Sequence, residues 1–468
     1  MNNLNEVEKL NETVIKGGYC VGCGICATVD NSPFEIKYNE HSQLQAFKNS
    51  NTQDNSGVKV LELCPFSDES RDEDEIGKEL YGSKNSYHNK LGYINSTYAG
   101  HVVEKQFRNN GSSGGMGTWV LTELLNKNLV DGIIHVKPTE GENLFKYDIS
   151  NTIEEILDGA SSRYYPIELS EVISMVKNRP GRYAVIGLPC FIKSIRLLSK
   201  QDPIIKERIK FCIGLVCGHL KSAHFASMWS WQLGIHPDNL EKINFRNKLN
   251  NDNASKYGVS VEGIKNGNKT SIISPPLNEL YGANWGWGFF KYKACDYCDD
   301  VVGETADISI GDAWLPEYVK DSKGTNVIVV RNPIIAKLIK SAREDQRLYL
   351  EDISPEKVVQ SQSSGFNHRR EGLAYRLHLK DQNNEWRPNK RISADGNHLS
   401  EKLKKRQDLR IELANQSHIV FQEALKINEF TFFKDKMEPL VKAYERTYKV
   451  TLLKKIFNRI KKVSNGFK

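Results

Sequence analysis

Cysteines are the residues of this 468-residue chain with the clearest capacity for chemistry, and there are nine of them. Three follow one another at C-x2-C-x2-C spacing between Tyr19 and Ala27, with glycines among them. One short loop of this kind can wrap three thiolates around an iron–sulfur cube. A fourth ligand is expected before Pro65, because a Cys-Pro pair ends the bacterial ferredoxin run. The predicted ligands of one 4Fe-4S cluster are Cys20, Cys23, Cys26 and Cys64.

The segment does not carry a second complete ferredoxin motif. Asp30 occupies the position where that run would place its own last cysteine. Zinc is the main alternative to iron and sulfide, although zinc knuckles usually supply two close cysteines at a time. A purely structural role is the other alternative.

Four further cysteines form a second candidate group. Cys295 and Cys298 make a C-x2-C pair, and Cys190 and Cys217 each follow a predicted strand. The carboxyl ends of strands in an α/β sheet meet at one edge, so these four thiols are expected there. Spacing alone fits zinc and iron–sulfur equally, and any one of these thiols is also compatible with an inert buried role. Cys212 lies within an apolar strand and is assigned to the core.

Composition indicates a globular protein of two or three domains, with 39% apolar and 26% charged residues. The net charge of +7 does not predict nucleic-acid binding, because residues 401–468 hold 17 Lys and Arg against 8 Asp and Glu. No secretory signal and no apolar run near the ~18 residues of a membrane span are visible. We therefore predict a cytoplasmic protein, in which cysteines serve metal binding or redox chemistry more often than disulfides.

The pattern of strands and helices predicts an α/β (α+β) fold. The chain divides into a small ferredoxin-like domain with an exposed connector from residue 66 (1–90), a mixed α/β domain (91–385) and a basic helical tail (386–468). Strands are predicted at 99–103, 132–136, 183–187, 211–216, 307–310 and 326–330, and helices at 118–125, 191–199, 220–233 and 334–344.

A glycine- and serine-rich loop, residues 111–117, precedes the first of these helices. Unpaired N–H groups and the positive end of a helix dipole suit a phosphate. The loop matches neither the G-x-G-x-x-G fingerprint nor a Walker A loop, and a tight turn with a helix cap is an equal alternative.

Five motifs occur in order along residues 92–380: RNNGSSGG at 108–115, GLPC at 187–190, GLVC at 214–217, CDYC at 295–298 and ADISIGD at 306–312. In this order they resemble the coenzyme F420 hydrogenase/dehydrogenase beta subunit family. An N-terminal ferredoxin-like motif is a common addition in bacterial and plant members of that family.

The resemblance implies that Cys190, Cys217, Cys295 and Cys298 bind a 4Fe-4S cluster beside an FAD. It also implies a mixed α/β domain that holds both groups, with the flavin against the loop 112–115, the segment 161–164 and loops near 311 and 325. The residues implied in flavin binding are Ser112, Ser113, Gly114, Gly115, Ser162, Arg163, Tyr164, Gly311, Asp312, Thr325 and Asn326.

These features predict an iron–sulfur flavoprotein oxidoreductase with two 4Fe-4S clusters and FAD. A ferredoxin-like electron donor or acceptor would exchange single electrons with the clusters, and FAD would exchange two with an unknown small-molecule substrate. The alternative is an electron-transfer subunit that serves a partner enzyme and has no substrate of its own. No acid/base pair is evident, and the 11 histidines are expected to be surface or capped side chains.

Two further stretches have two interpretations each. The aromatic run 284–290 either lines the pocket of a planar substrate or packs over the second cluster. The spacing of residues 449–463 predicts an amphipathic basic helix that either lies on an anionic membrane surface, making the protein peripheral to the membrane, or packs on the main body.

Overall fold

The structure, a computed structural model, describes residues 4–49, 57–141, 143–249 and 253–448. The strands are β1 (Phe34–Tyr38), β2 (Leu44–Lys48), β3 (Ser86–His88), β4 (Gly92–Ile94), β5 (Ser96–Val102), β6 (Gly132–Pro138), β7 (Phe145–Ser150), β8 (Tyr183–Gly187), β9 (Ile209–Leu215), β10 (Leu240–Asn247), β11 (Gly258–Lys265), β12 (Asn268–Ile273), β13 (Ile308–Asp312), β14 (Asn326–Val330) and β15 (Leu348–Asp352).

The α-helices are α1 (Glu6–Leu10), α2 (Glu73–Tyr81), α3 (Phe107–Asn110), α4 (Met116–Asn126), α5 (Ile153–Asp158), α6 (Ser170–Asn178), α7 (Pro189–Gln201), α8 (Pro203–Arg208), α9 (His224–Gln232), α10 (Pro333–Glu344), α11 (Pro355–Ser361), α12 (Ser363–Phe366), α13 (Gly372–Gln382), α14 (Glu401–Ile427) and α15 (Phe430–Arg446). Among the helices of the described residues, none is long and apolar enough to cross a membrane. The predicted strands and helices are confirmed, with shifts of a few residues at their ends.

An eight-stranded mixed sheet organises the main body, in the order β15-β5-β14-β13-β9-β8-β6-β7. Its centre is parallel, from β6 through β8 and β9 to β13, whereas the outer pairs are antiparallel. The carboxyl ends of the four parallel strands therefore meet at one edge. The start of β14 joins them there, because Asn326 pairs with Asp312. The mixed sheet with its helices confirms the predicted α/β (α+β) class.

The sheet buries both faces, as strands in the middle of an α/β fold do. Alternate residues of β9 point to opposite sides, so that Ile213 packs with α4 and α10 while Cys212 packs with α6 and α7. The Cys212 side chain is fully buried in this second layer, which confirms its assignment to the core.

The N-terminal region shares its core with the main body. Val7, Leu10 and Phe34 belong to the same apolar cluster as Val172 of α6. The β1–β2 hairpin therefore does not depend on its own small interior for stability.

The predicted exposed connector after residue 66 is wrong. It contains α2, whose Tyr81 is 5% exposed and donates a hydrogen bond to the Thr305 carbonyl at 3.2 Å. Glu73 of the same helix is buried and lies 3.2 Å from the Lys193 amine. The polar residues that suggested a loop are the capping box of this helix, formed by Asp72 and Glu75.

The C-terminal region is helical, as predicted, and α14 and α15 pack against the main body. Phe421 and Phe433 from these helices contact Phe290, with ring centroids 5.1 and 5.7 Å apart. The amphipathic helix predicted at 449–463 lies outside the described residues.

Candidate functional site

The first cysteine group lies in a loop that the glycines shape. Gly22 and Gly24 have φ values of +65° and +85°, a region that favours glycine. A Cβ on Gly22 would lie 2.3 Å from the Leu44 carbonyl oxygen, so the loop runs directly against β2. The backbone N–H groups of Gly22 and Ala46 approach the Cys20 sulfur at 3.4 and 3.5 Å.

The structure brings the four predicted thiols of this group together. Burial raises the pKa of Cys26 well above its usual value, and the nearby Cys20, Cys23 and Cys64 raise it further. Burial likewise raises the pKa of Cys23 to about 11. Four thiolates buried side by side would repel one another, an arrangement that is costly unless a cation binds them.

The second group forms at the carboxyl edge of the parallel strands, as expected from the sequence. Cys190 occupies the first turn of α7, Cys217 follows β9, and Cys295 and Cys298 belong to one short helical turn and its end. Burial raises the pKa of Cys190 well above its usual value, with further contributions from the other three thiols. The Leu220 N–H approaches the Cys295 sulfur at 3.2 Å.

A buried arginine supports this second group. The Arg369 side chain is 1% exposed and donates to the carbonyls of Cys217 (2.6 Å), Asp300 (2.9 Å) and Gly218 (2.8 Å). Burial raises the pKa of Cys298 to about 11, and the Arg369 charge opposes that rise. A fixed cation beside these thiols favours their thiolate form, which is the form that binds metals.

The donor chemistry of both groups fits iron–sulfur clusters. Each has four cysteines, and each has N–H groups directed at sulfur, which are among the contacts that tune such clusters. No group of three or more His, Cys, Asp or Glu side chains within the described ranges is arranged to hold a single metal ion.

The two cysteine groups are neighbours. Cys23 of the first group is among the residues that raise the pKa of Cys190 in the second. The Leu169 N–H, just before α6, donates to the Cys23 carbonyl at 2.9 Å and ties the loop to the main body.

A cavity opens beside the second group, with about 1430 Å³ of empty space that includes open solvent. Cys217 forms part of its wall, so cavity and cysteine group share a residue. The flavin-binding residues implied by the resemblance that line this cavity are Ser112, Ser113, Gly115, Ser162, Arg163, Tyr164, Gly311, Asp312 and Asn326.

Gly114 and Thr325 are not among the lining residues. A Cβ on Gly114 would lie 2.6 Å from the Asn326 side-chain oxygen, which explains why the position is glycine. Thr325 accepts a hydrogen bond from the Ser113 hydroxyl through its carbonyl, at 3.1 Å. Both residues shape the loop from outside the cavity.

Hydrogen bonds hold the serine loop in place. The Ser112 hydroxyl oxygen accepts from the Ser162 N–H at 2.7 Å. The Asn326 side chain accepts from the Met116 N–H at 3.1 Å and donates to the Gly311 carbonyl at 3.0 Å. Asn326 therefore fixes the loop and the start of α4, which supports the helix-cap interpretation of this loop, and the phosphate site stays a prediction.

Arg163 gives the cavity a positive charge. Burial lowers the pKa of its guanidinium to about 10. Its hydrogen bonds go to backbone carbonyls, including that of Ala160 at 3.0 Å, and its buried Nε has no partner among the described residues. A guanidinium without a carboxylate on the wall of a cavity is suited to an anion such as a diphosphate.

Sequence patterns did not reveal several polar residues of this site. Arg246, from β10, pairs with Asp312 at 2.9 Å, and Lys248 donates to the Ser113 carbonyl at 2.9 Å. The histidines were expected to be surface or capped side chains, and five of them do not lie at the surface. The buried histidines are His135, His219, His224, His368 and His418.

The aromatic run divides between two environments. Trp285 lines the cavity and stacks on His219, with centroids 4.4 Å apart. Phe289 and Phe290 instead pack against the C-terminal helices, with Phe433 as a common neighbour. Trp285 lines the cavity and also packs on Gly218, next to Cys217, so both interpretations stay open for it. The two phenylalanines have a third role that neither anticipated.

Comparison with known proteins places these features in a family. Residues 97–174 match the model described as coenzyme F420 hydrogenase/dehydrogenase, beta subunit N-term. Residues 181–356 match the companion model, which describes the C terminus of the same subunit. The two models thus cover the sheet, the serine loop and the second cysteine group.

Individual relatives share about a quarter of the aligned residues with this chain. The F420-dependent formate dehydrogenase subunit beta of Methanocaldococcus jannaschii is 27% identical over 266 residues, 52% of this chain and 66% of that protein. The coenzyme F420-dependent sulfite reductase of the same organism is 24% identical over 346 residues, 69% of this chain. The chain covers only 46% of that reductase.

A solved structure is also similar. A chain of the F420-reducing [NiFe] hydrogenase complex from Methanosarcina barkeri matches 65% of this chain, and 99% of its own length, with a TM-score of 0.49 and 16% identity. On the two family models together with the ordered motifs that they span, this chain belongs to the coenzyme F420 hydrogenase/dehydrogenase beta subunit family.

Proposed function

We propose that this chain is an iron–sulfur flavoprotein oxidoreductase that passes electrons between a one-electron protein partner and a two-electron acceptor or donor. Two 4Fe-4S clusters, at Cys20/Cys23/Cys26/Cys64 and at Cys190/Cys217/Cys295/Cys298, would connect the partner to an FAD in the cavity. The observation that carries the proposal is that the first cysteine group, the second cysteine group and the cavity lie next to one another. Cys23 lies close enough to affect Cys190, and Cys217 belongs to both the second cysteine group and the cavity wall.

Side chains of the cavity wall would bind the cofactor and shield it from water. The Ser112 and Ser162 hydroxyls and the Arg163 guanidinium would hold the diphosphate of the cofactor, because all three side chains belong to residues that line the same cavity. Trp285 and Tyr164 have rings 5.1 Å apart and offer flat apolar surface on the same wall. When bound, a flavin converts between single-electron and two-electron transfer, which a cluster alone cannot do.

The first cysteine group is the proposed entry point. Its loop belongs to the N-terminal region, and Cys20, Cys26 and Cys64 are partly exposed, so that a ferredoxin-like protein would approach this group without entering the cavity. The two-electron side is proposed to face the cavity, and the names of the relatives make coenzyme F420 one candidate for it.

The test is cofactor analysis of the full-length protein purified without oxygen. The proposal predicts about eight iron and eight sulfide per chain, and about one FAD per chain. A Cys217→Ala variant should lose about half of the iron, and a Cys64→Ala variant should lose the other half while keeping the flavin. Zinc in place of iron, or much less than one flavin per chain, would refute the proposal.

A second candidate is an electron-transfer subunit without its own substrate. The name of one relative, a subunit beta of formate dehydrogenase, favours it. In that case reduced artificial dyes should reduce the flavin of the purified chain, the chain alone should pass those electrons to no small-molecule substrate, and activity should appear only with a partner enzyme. A small-molecule acceptor that the isolated chain reduces stoichiometrically would exclude this second candidate.

A further inference from the structure

The cavity wall next to the second cysteine group contains a buried lysine. Lys221 follows β9 by six residues and is 2% exposed. It lines the cavity together with Cys217, His219 and Trp285.

The surroundings of the Lys221 amine are mostly apolar. Its nitrogen lies 4.5 Å from the ring centroid of Phe225 and 4.6 Å from that of Trp285. It donates one hydrogen bond, to the Phe289 carbonyl. Within the described ranges, no carboxylate forms an ion pair with it.

A second buried lysine, Lys291, differs from Lys221 in having a carboxylate partner. Lys291 sits opposite Lys221 in an isolated antiparallel bridge and is equally buried. Lys291 is paired with Asp296, which is also buried. Of the two lysines, Lys221 lines the cavity and has no carboxylate partner among the described residues, whereas Lys291 has such a partner and does not line the cavity.

The backbone holds Lys221 rigidly. The N–H of Ser222 donates to the Phe290 carbonyl at 2.9 Å, and the N–H of Tyr292 donates to the Leu220 carbonyl at 3.3 Å. The backbone of Lys221 is therefore fixed beside the cavity, and the hydrogen bond from its amine to the Phe289 carbonyl holds the side chain.

An uncompensated buried ammonium is costly. Burial, and next to it Lys291, hold the pKa of Lys221 well below its usual value, and the nearby Cys295 thiol only partly opposes this. Negative charge in the cavity would offset this cost. The aromatic wall at Trp285 and the absence of a fixed carboxylate partner within the described residues indicate a flat, anionic occupant.

We propose that Lys221 is the partner of the negative charge that the flavin ring carries when it is reduced, and that it thereby raises the reduction potential of the flavin. This inference rests on the proposed function. Two single electrons from the clusters and one proton from solvent convert the neutral oxidised ring into a reduced ring with one negative charge. An ammonium on the cavity wall stabilises that product and not the oxidised ring.

The test compares the full-length protein with Lys221→Met, which removes the charge at similar length, and Lys221→Arg, which keeps it. Anaerobic spectroelectrochemistry measures the two-electron midpoint potential of the bound flavin. We expect Lys221→Met to weaken binding of the reduced ring at least tenfold relative to the oxidised ring. For a two-electron couple, tenfold corresponds to a potential lower by about 30 mV. Lys221→Arg should stay close to the unsubstituted protein.

A second measurement, the binding of sulfite to the flavin, does not require catalytic turnover. Sulfite adds to the flavin ring and leaves it negatively charged, so bleaching of the flavin absorption measures the same stabilisation. The unsubstituted protein should form this adduct, and Lys221→Met should require at least tenfold more sulfite. Unchanged potentials in a Lys221→Met protein that binds flavin would overturn the inference. If that variant fails to fold, the absence of a sulfite adduct in the unsubstituted protein would overturn it. A protein without flavin would refute the proposed function instead.

Discussion

The two cysteine groups show how differently one chain can build two sites with the same ligands. The first takes three of its four cysteines from seven consecutive residues, 20–26, in a loop shaped by left-handed glycines. The second collects cysteines across more than 100 residues, from 190 to 298, at the edge of a sheet. The first is therefore held by local backbone conformation, and the second by buried charges that connect distant segments.

Removing Arg369 should affect the second group most strongly. Arg369→Met leaves three buried carbonyls without their donor, and such groups cost about 1–3 kcal/mol each. We expect the free energy of unfolding to fall by about 4 kcal/mol, and the iron content to fall by half. Urea denaturation and iron analysis of the full-length protein measure both.

The matched control is Arg182→Met. Arg182 pairs with Asp131 at 2.7 Å, but both side chains are about half exposed, at 45% and 50%. Exposed pairs of this kind contribute up to about 1 kcal/mol. Equal losses in the two variants would contradict the idea that buried charge holds the second group.

A glycine in the first group should show the next largest effect. Gly22→Ala places a Cβ 2.3 Å from the Leu44 carbonyl oxygen, in a backbone conformation that alanine disfavours. The conformational term is about 1–2 kcal/mol and the forced displacement adds a similar amount. We expect a loss of about 3 kcal/mol in the free energy of unfolding, and less iron at the first group.

The chain offers its own control for this prediction. Gly267 has a φ of +78°, and nothing lies within 4 Å of its Cβ position. Gly267→Ala should therefore cost only the conformational term, about 1 kcal/mol. Equal losses in the free energy of unfolding for Gly22→Ala and Gly267→Ala would mean that the close approach of the loop to β2 does not contribute to stability.

The contact that joins the two regions should respond to pH. The Ser42 hydroxyl, in the β1–β2 turn, lies 3.1 Å from the His224 Nε2 of α9. Burial, and next to it His41, lower the pKa of His224 to about 4. Because the unfolded imidazole titrates near 6.5, the unfolded state binds more protons between these values, and stability falls as pH falls.

Between pH 7 and pH 5 this one histidine should remove about 2 kcal/mol of stability. Urea denaturation at several pH values measures the slope. In His224→Gln, the loss of stability between pH 7 and pH 5 should be smaller by about 2 kcal/mol. An unchanged slope would mean that His224 is not buried in its neutral form.

Local patterns predicted that the cysteines of the first group lie together, because its spacing and glycines lie within one loop. The central strands and the meeting of the second four cysteines were also predictable, since continuous apolar runs mark buried strands and strand ends meet at one edge. That either group binds a cluster stays a prediction. The sequence interpretation of residues 66–90 was wrong for a physical reason. The capping box of Asp72 and Glu75 marks the start of α2 in the sequence and was overlooked, whereas the ion pair of Glu73 with Lys193 depends on packing that no local pattern shows.

Buried polar residues of the second group and the cavity were not predictable. Arg369, Lys221 and His219 occur singly, without a motif, and their burial depends on segments far away in sequence. Arg246 reaches the serine loop only because β10 lies beside it in three dimensions. Side chains of this kind have ordinary surface composition, so only tertiary contacts show that they belong to a site.

The neighbouring position of the two cysteine groups can be tested directly by electron paramagnetic resonance of the fully reduced, full-length protein. Two reduced 4Fe-4S clusters held next to each other predict a spectrum broadened by spin–spin interaction, which becomes the simple signal of one cluster in Cys64→Ala. A spectrum of the unsubstituted protein that equals the sum of two isolated clusters, or that contains no iron–sulfur signal, would contradict the account.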